Sequence, residues 1–294
     1  MDIIAKKHIF LGFSGTLVAA SWFSILFFGL EPGIDLRGGT KWEIAISHPQ
    51  ANEEAVQSVL KRETNSGVSV KRAGEAYLVL LPPLSEEDHT RYLTALSKEF
   101  GNITEKNFSS IGPTVGAELK RKSLFAVGAV LCLISGYIAW AFRKVSRPIA
   151  SWKYGVVTLA TLFHDVSIPA GLFALLGALG ASLTVDTNFI TALLVVIGFS
   201  VHDTIVVFDR IREHLAGGRE RNLGTLVNAS VRETFARSVN TSLTLVLVLA
   251  ALMAVGPPSL FSLLLTLLVG TVFGTYSSIF VASPLLYLWG KSRA

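Results

Sequence analysis

The sequence is short of charge, of sulfur and of catalytic signatures. Its single cysteine, Cys132, lies inside an apolar segment, which excludes an internal disulfide framework or a cysteine-built metal site and leaves the redox compartment unread. Only 16% of the 294 residues are charged while 51% are hydrophobic, and the mean hydropathy is +0.53. That balance excludes a soluble domain of this length and fits a chain that crosses a membrane repeatedly. No GxxxxGK nucleotide loop, HExxH or GxSxG pattern is present, so a hydrolytic enzyme or covalent catalysis has no motif to rest on. Neither a metal nor an organic cofactor is expected. The formal net charge of +5 does not point to nucleic acid, because many Lys and Arg residues cluster beside apolar segments, where topology and anionic lipid account for them.

What the chain does have is long uncharged runs. Six stretches read as membrane spans: His8 to Leu30, Leu124 to Phe142, Tyr154 to Leu179, Phe189 to Phe208, Thr241 to Val255 and Leu260 to Trp289, since about 20 mainly apolar residues cross a bilayer. The fifth is short, and starting it near Thr234 draws Arg237 into or near the membrane. The first is longer than a signal-peptide core and is read as an uncleaved anchor. Basic residues precede span one (Lys6, Lys7), separate spans two and three (Arg143, Lys144, Arg147, Lys153) and spans four and five (Arg210, Arg212, Arg219, Arg221, Arg232), and follow span six (Lys291, Arg293). The opposite short loops, GASLTVD and GPPS, have none, so both termini are expected in the cytoplasm. Trp140, Trp152 and Trp289 fall at that boundary, as interfacial aromatics do.

The connection between spans one and two is long enough to fold by itself. GTKWEIAIS alternates as a strand, NEEAVQSVLKRE is helical, VSVKRA and AYLVLLP read as strands around a turn at Gly74, SEEDHTRYLTALSKEF is a helix capped by Ser85 and stopped by Gly101, and NITEKNFSSI is a last strand. The fold class is thus a polytopic α-helical membrane protein of six transmembrane helices, with a ferredoxin-like βαββαβ external domain between helices 1 and 2. The boundaries are 1–30 for the tail and first helix, 31–122 for the extracytoplasmic domain and 123–294 for the remaining five helices. Leu223, Leu226, Val227, Val231 and Phe235 recur at helical spacing, which suggests a separate amphipathic helix near 221–235 in the cytoplasmic interface, or else a plain soluble loop.

A charged side chain at bilayer depth costs roughly 2.5 to 3.5 kcal/mol on insertion scales, so each one has a partner or a task. The candidates are His164, Asp165, His202, Asp203 and Arg237. Asp203 lies about 14 residues into an inward-running span, roughly 20 Å down, and Arg237 starts the next span at the same level, so the two can meet. Ser200, Asp203, Thr204 and Val207 share one helix face, with His202 rotated about 100° away. Arg237 and Thr241 share another, and Asn240 to Ser242 add groups able to hold water. Asp203 with Arg237 reads as a fixed interhelical ion pair or as a proton relay in which movement of one partner switches protonation. Asp165, near the midplane, is either functional or a buried acid bonded to backbone freed by Pro169. Asp186 reads as the cap of span four. Gly270, Gly274 and Ser278, four apart, form a close-approach stripe for another helix.

Several stretches together resemble the SecF family, the smaller half of the bacterial SecD/SecF protein-export accessory complex. GIDLRGGT at Gly33 to Thr40 is similar to its Asp-x-x-Gly-Gly signature, VIGFSVHDTIVVFDRIRE to its fourth-span motif, RSVNTS from Arg237 to its fifth and GTYSSIFVASPL from Gly274 to its sixth. The resemblance implies six spans of the resistance-nodulation-division type paired with SecD, and use of the proton motive force to draw preproteins from the SecYEG channel after the SecA motor has pushed. YajC, YidC and membrane lipids are further implied partners, and protons are the only coupling species. Asp203 and Arg237 match the family's fourth-span acid and fifth-span arginine, and Thr241 a nearby hydroxyl. His202 stands where the family commonly has Asn; with Asp165 it completes the candidate proton relay. Gly33, Asp35, Gly38 and Gly39 form either a hinge that transmits membrane motion or a rigid turn. The competing functions are a non-conducting scaffold and half of an exporter of small molecules or lipids.

Overall fold

The computed structural model describes residues 2–64, 67–74, 76–143, 149–181, 183–217 and 222–291. In chain order its elements are α1 (Lys7–Phe28), α2 (Ile34–Arg37), β1 (Gly39–Ile46), α3 (Glu53–Glu63), β2 (Ser69–Ala73), β3 (Ala76–Leu81), α4 (Glu86–Phe100), β4 (Ile103–Ile111), α5 (Pro113–Ala141), α6 (Ser151–Ala178), α7 (Thr187–Gly217), α8 (Leu223–Val255), α9 (Phe261–Ser277) and α10 (Ser283–Lys291). A π-helical turn, Ser278–Ala282, joins the last two. The chain divides into two compact units, Pro32–Leu124 and Met1–Glu31 with Phe125–Ala294.

In the smaller unit the elements β1, α3, β2, β3, α4 and β4 follow one another in the expected order. The sheet runs β2-β3-β1-β4 with every neighbouring pair antiparallel, so each helix connects two strands that have a third between them. β1 alternates because one face is covered: Trp42 and Ile44 are buried against Val56, Leu60, Val79 and Leu96, while Lys41 and Glu43 lie on the other face. Asn52 caps α3 by accepting from Ala55 N at 2.7 Å, and Ser85 caps α4 by accepting from Asp88 N at 3.2 Å. The GIDLRGGT stretch forms the single turn α2 and the start of β1. Gly38 there has φ +82°, and a Cβ on it would lie 2.7 Å from Pro113 Cα. Both backbone conformation and close approach therefore require glycine at that position.

The larger unit holds the membrane helices. Among the described residues six helices are long and apolar enough to cross a membrane: Lys7–Phe28, Pro113–Ala141, Ser151–Ala178, Thr187–Gly217, Leu223–Val255 and Phe261–Gly290. The third, fourth and sixth bury 50–56% of their apolar windows within the chain, against 6–17% for the first, second and fifth. α6, α7 and α9 thus form the packed centre, and α1, α5 and α8 lie around it with most of their surface uncovered.

Two features depart from the expectation. The segment near 221–235 is neither a loop nor a separate interfacial helix. α8 starts at Leu223 under an Asn222 cap and runs 33 residues without a break; Arg219 and Arg221 fall outside the described residues. The apolar stripe was rightly periodic, but Leu226, Val227 and Val231 are buried in one cluster with Phe208 and Ile211 of an α7 that continues well past Phe208. With no proline in the stretch, nothing stops the helix before it enters the membrane. The second departure lies at the start of the chain. Asn228 Oδ1 accepts from Ile3 N (2.9 Å) and Ile4 N (3.1 Å), and its Nδ2 donates to Asp2 Oδ1 at 2.7 Å, so the first residues are clamped to α8.

Candidate functional site

Asp165 sits on α6, one of the packed central helices, and is fully buried. Pro169 lies four residues along the same helix and has no N–H to give to the Asp165 carbonyl. The carboxylate itself makes no use of freed backbone. His164 Nδ1 stands 2.8 Å from Oδ1, and Oδ2 accepts from Ser200 Oγ of α7 at 2.5 Å and from Ser277 Oγ of α9 at 2.9 Å. Three helices therefore converge on one acid, and the backbone alternative is replaced by this side-chain cluster. The His164 ring lies over Tyr276, with centroids 6.3 Å apart and planes at 23°. Its Nε2 is buried and has no hydrogen-bond partner among the described residues.

The second acid lies one helical turn from Ser200 on α7. Asp203 is buried along with Ser200, Thr204 and Val207, the face expected from their spacing, while His202 points out and is exposed. Thr275 Oγ1 of α9 approaches Asp203 Oδ2 at 3.4 Å and also shares a hydrogen bond with Ser242 Oγ of α8. Ser238, one turn before Ser242, is likewise buried on that face of α8, and its Oγ has no hydrogen-bond partner among the described residues. Small hydroxyls from two helices thus surround Asp203.

The helix contact that permits this is tight. Gly270 faces Val196, and a Cβ on Gly274 would lie 3.1 Å from Ser200 Cβ, so α9 approaches α7 closely enough for Thr275 and Ser277 to reach the two acids. Ser278, the third member of the stripe, is buried and donates instead to Thr275 O at 2.9 Å, at the start of the π turn.

The expected Asp203–Arg237 ion pair is not formed. Arg237 and Thr241 are exposed, and among the described residues Arg237 has no ion pair; Thr241 Oγ1 donates back to Arg237 O at 2.9 Å. The reason is a difference of about 100° around α8: Ser238 and Ser242 occupy the inward face, which turns their neighbours 237 and 241 outward. The site thus brings together Asp203 with Ser238, Ser242 and Thr275, and Asp165 with His164, Ser200 and Ser277. It leaves His202, Arg237 and Thr241 on open surface. Gly33, Asp35, Gly38 and Gly39 belong to the other unit. Asp186 caps α7, accepting from Phe189 N at 2.8 Å.

Sequence reasoning missed Ser277, Thr275 and Ser238. The signal was present, since Thr271, Thr275 and Ser278 recur at four- and three-residue intervals beside the glycine stripe, but that stretch was read as packing alone.

The family model described as protein export membrane protein SecD/SecF, C-terminal, matches residues 92–292. The protein translocase subunit SecF of Thermobaculum terrenum is 40% identical over 98% of this chain and 94% of its own length. The protein translocase subunit SecDF of Bacillus subtilis is 31% identical over 98% of this chain and 38% of its own. Among solved structures, SecDF of Thermus thermophilus, described as a translocon-associated membrane protein, superposes on the whole chain with a TM-score of 0.85 at 32% identity. The chain spans 39% of that longer protein. A super-membrane-facing form of SecDF gives a TM-score of 0.71.

Proposed function

Since the chain belongs to the SecD/SecF protein-export membrane family, we propose that it acts as a SecF-type translocase subunit that uses the proton motive force, with a SecD-type half, to promote preprotein export. The observation that carries the coupling step is Asp203: a carboxylate buried among membrane helices, approached by Thr275 Oγ1 beside the buried hydroxyls of Ser238 and Ser242, with no ion pair among the described residues. Such a group can take up and release a proton, because hydroxyls serve either state as donor or acceptor. Each charge moved through 100 mV is worth about 2.3 kcal/mol, enough to shift a two-state equilibrium substantially.

The partner follows from relatives in which both halves are one chain, the SecDF proteins of Bacillus subtilis and Thermus thermophilus. The open face of α8, with Arg237 and Thr241, supports a relay completed between chains: the guanidinium is placed for an acid or a water file of the partner instead of for Asp203 alone. Among the described residues Asp203 and Arg237 form no ion pair, which counts against a purely structural pair within this chain. SecYEG, SecA, YajC, YidC and the preprotein belong to the reading as further partners, and protons as its only coupling species. The reading puts the chain in the bacterial inner membrane, and the basic loops support having both termini in the cytoplasm.

The test is reconstitution with the SecD-type half in proteoliposomes. Asp203→Asn is expected to abolish both proton flux and export stimulation while the complex still assembles. Wild-type flux and export in that variant would leave only a scaffold.

A further inference from the structure

The relay reading leaves the most deeply buried acid unused. We propose that His164 and Asp165 form a second proton station, loaded at His164 Nε2 and coupled to Asp203 through the hydroxyls of Ser200, Ser277 and Thr275. The proposal rests on the proton-relay reading of Asp203 and extends it.

Three observations carry it. Asp165 has all its side-chain contacts from groups that can pass a proton, an imidazole on Oδ1 and two hydroxyls on Oδ2. His164 Nε2 is buried without a partner among the described residues, although a buried polar atom left unpaired costs about 1–3 kcal/mol. A residue needed only to hold Asp165 in place would require Nδ1 and not a second, unsatisfied nitrogen. Finally, the groups that reach the two acids lie near one another in the chain: Ser200 and Asp203 are one turn apart on α7, and Ser277 and Thr275 are two residues apart on α9, the first reaching Asp165 and the second Asp203.

The surroundings leave little other chemistry. Facing the His164 ring are Tyr276, stacked on it, and Phe273, both of α9; the other acid of the bundle, Asp203, lies on α7 one turn from Ser200. Residues 9–28 of α1, 124–141 of α5 and 278–290 of the last span carry no charged side chain. Among the described residues His164 is the basic group recorded in contact with the carboxylate.

The proton count closes. In the unloaded state the ring carries hydrogen on Nδ1, donated to an ionised Asp165, and the pair holds one negative charge. A proton added at Nε2 makes the pair neutral. The Nδ1 proton then passes to Oδ1, leaving a neutral ring with hydrogen on Nε2 and a neutral carboxylic acid. For release the carboxyl group turns about Cβ–Cγ, so that the protonated oxygen faces the serines, and its proton moves to a serine oxygen as that hydroxyl gives up its own proton towards Asp203. Uptake of a proton at Nδ1 with loss of the one at Nε2 then resets the station. No bond other than those to hydrogen changes.

His164→Asn separates the roles, because the Asn amide keeps a donor near the Nδ1 position and has nothing at Nε2. In proteoliposomes carrying the complex with its SecD-type half, His164→Asn and Asp165→Asn are each expected to lower proton flux roughly 10²-fold, with assembly judged by co-purification. Infrared difference spectra between acid and neutral pH should show a carboxylic C=O band that Asp165→Asn removes and His164→Asn shifts. Wild-type flux in His164→Asn alongside loss of flux in Asp203→Asn would overturn the second station and leave the first intact. Wild-type flux in Asp203→Asn would overturn both. If Asp165→Asn fails to assemble, the flux and spectrum of His164→Asn decide, and an unshifted band counts against the proposal.

Discussion

Ser277 of α9 donates to Asp165 Oδ2 of α6 across 2.9 Å, joining residues 112 positions apart in the chain. A hydroxyl that satisfies a fully buried carboxylate is not exchangeable for a methyl group. Ser277→Ala is expected to destabilise the protein by about 1–3 kcal/mol, the range for leaving a buried partner unpaired. Thermal unfolding in detergent is the measurement, and an unchanged midpoint would show that the bond contributes nothing.

Thr275 stands at the corresponding place beside Asp203, with Ser242 completing the contact. Thr275→Val keeps the shape and removes the hydroxyl. Export stimulation in the reconstituted complex is expected to fall about tenfold or more while assembly stays normal, in line with losing a group that positions a transferable proton.

Arg237 distinguishes contacts within the chain from contacts beyond it. Because it is exposed and has no ion pair among the described residues, Arg237→Ala should leave the stability of the isolated chain within about 0.5 kcal/mol of the parent. Proton flux in the complex with the SecD-type half should nonetheless collapse. A large loss of stability in the isolated chain would place the arginine in this chain's own interior.

At Gly38 the strain is local. With φ at +82° and Pro113 so near, Gly38→Ala should destabilise the smaller unit by more than about 1 kcal/mol. Denaturant unfolding of the full chain followed by Trp42 fluorescence reports on that unit, since Trp42 is part of its core.

The amino-terminal clamp should depend on pH. Asp2 accepts from Ala5 N and from Asn228, and these bonds hold its carboxyl below the usual carboxylate range. A lowered folded pKa gives a contribution that is present above the ordinary carboxylate pKa and lost as pH falls through the lowered value. Hydrogen exchange at Ile3 and Ile4 should therefore rise, relative to the intrinsic rate, only in acid. Asn228→Ala should raise it at every pH.

Much of this was legible in the chain. The spans follow from the length of the apolar runs, the Ser85 cap from its local residue pattern, and the order of strands and helices and the buried face of Asp203 from periodicities of 2 and 3.6. What was not legible depends on helix rotation. Arg237 and Ser238 are neighbours in the chain, and charge pairing made the arginine the natural partner of Asp203. Packing chose the serine, because a small hydroxyl fits where α8 meets α7 and α9 and a guanidinium does not. The convergence of Ser200 and Ser277 on Asp165 needs three helix azimuths at once, which no single segment encodes.

The unbroken run of α8 has a mechanical side. At 1.5 Å per residue, 33 residues make a rod of about 50 Å, well beyond the roughly 30 Å of hydrocarbon in a bilayer. One end grips the start of the chain through Asn228, and the middle presents Ser238 and Ser242 to Asp203. Without a joint between them, a roll of this axle would displace both at once, tying the level of Asp203 to the grip on the first residues of the chain.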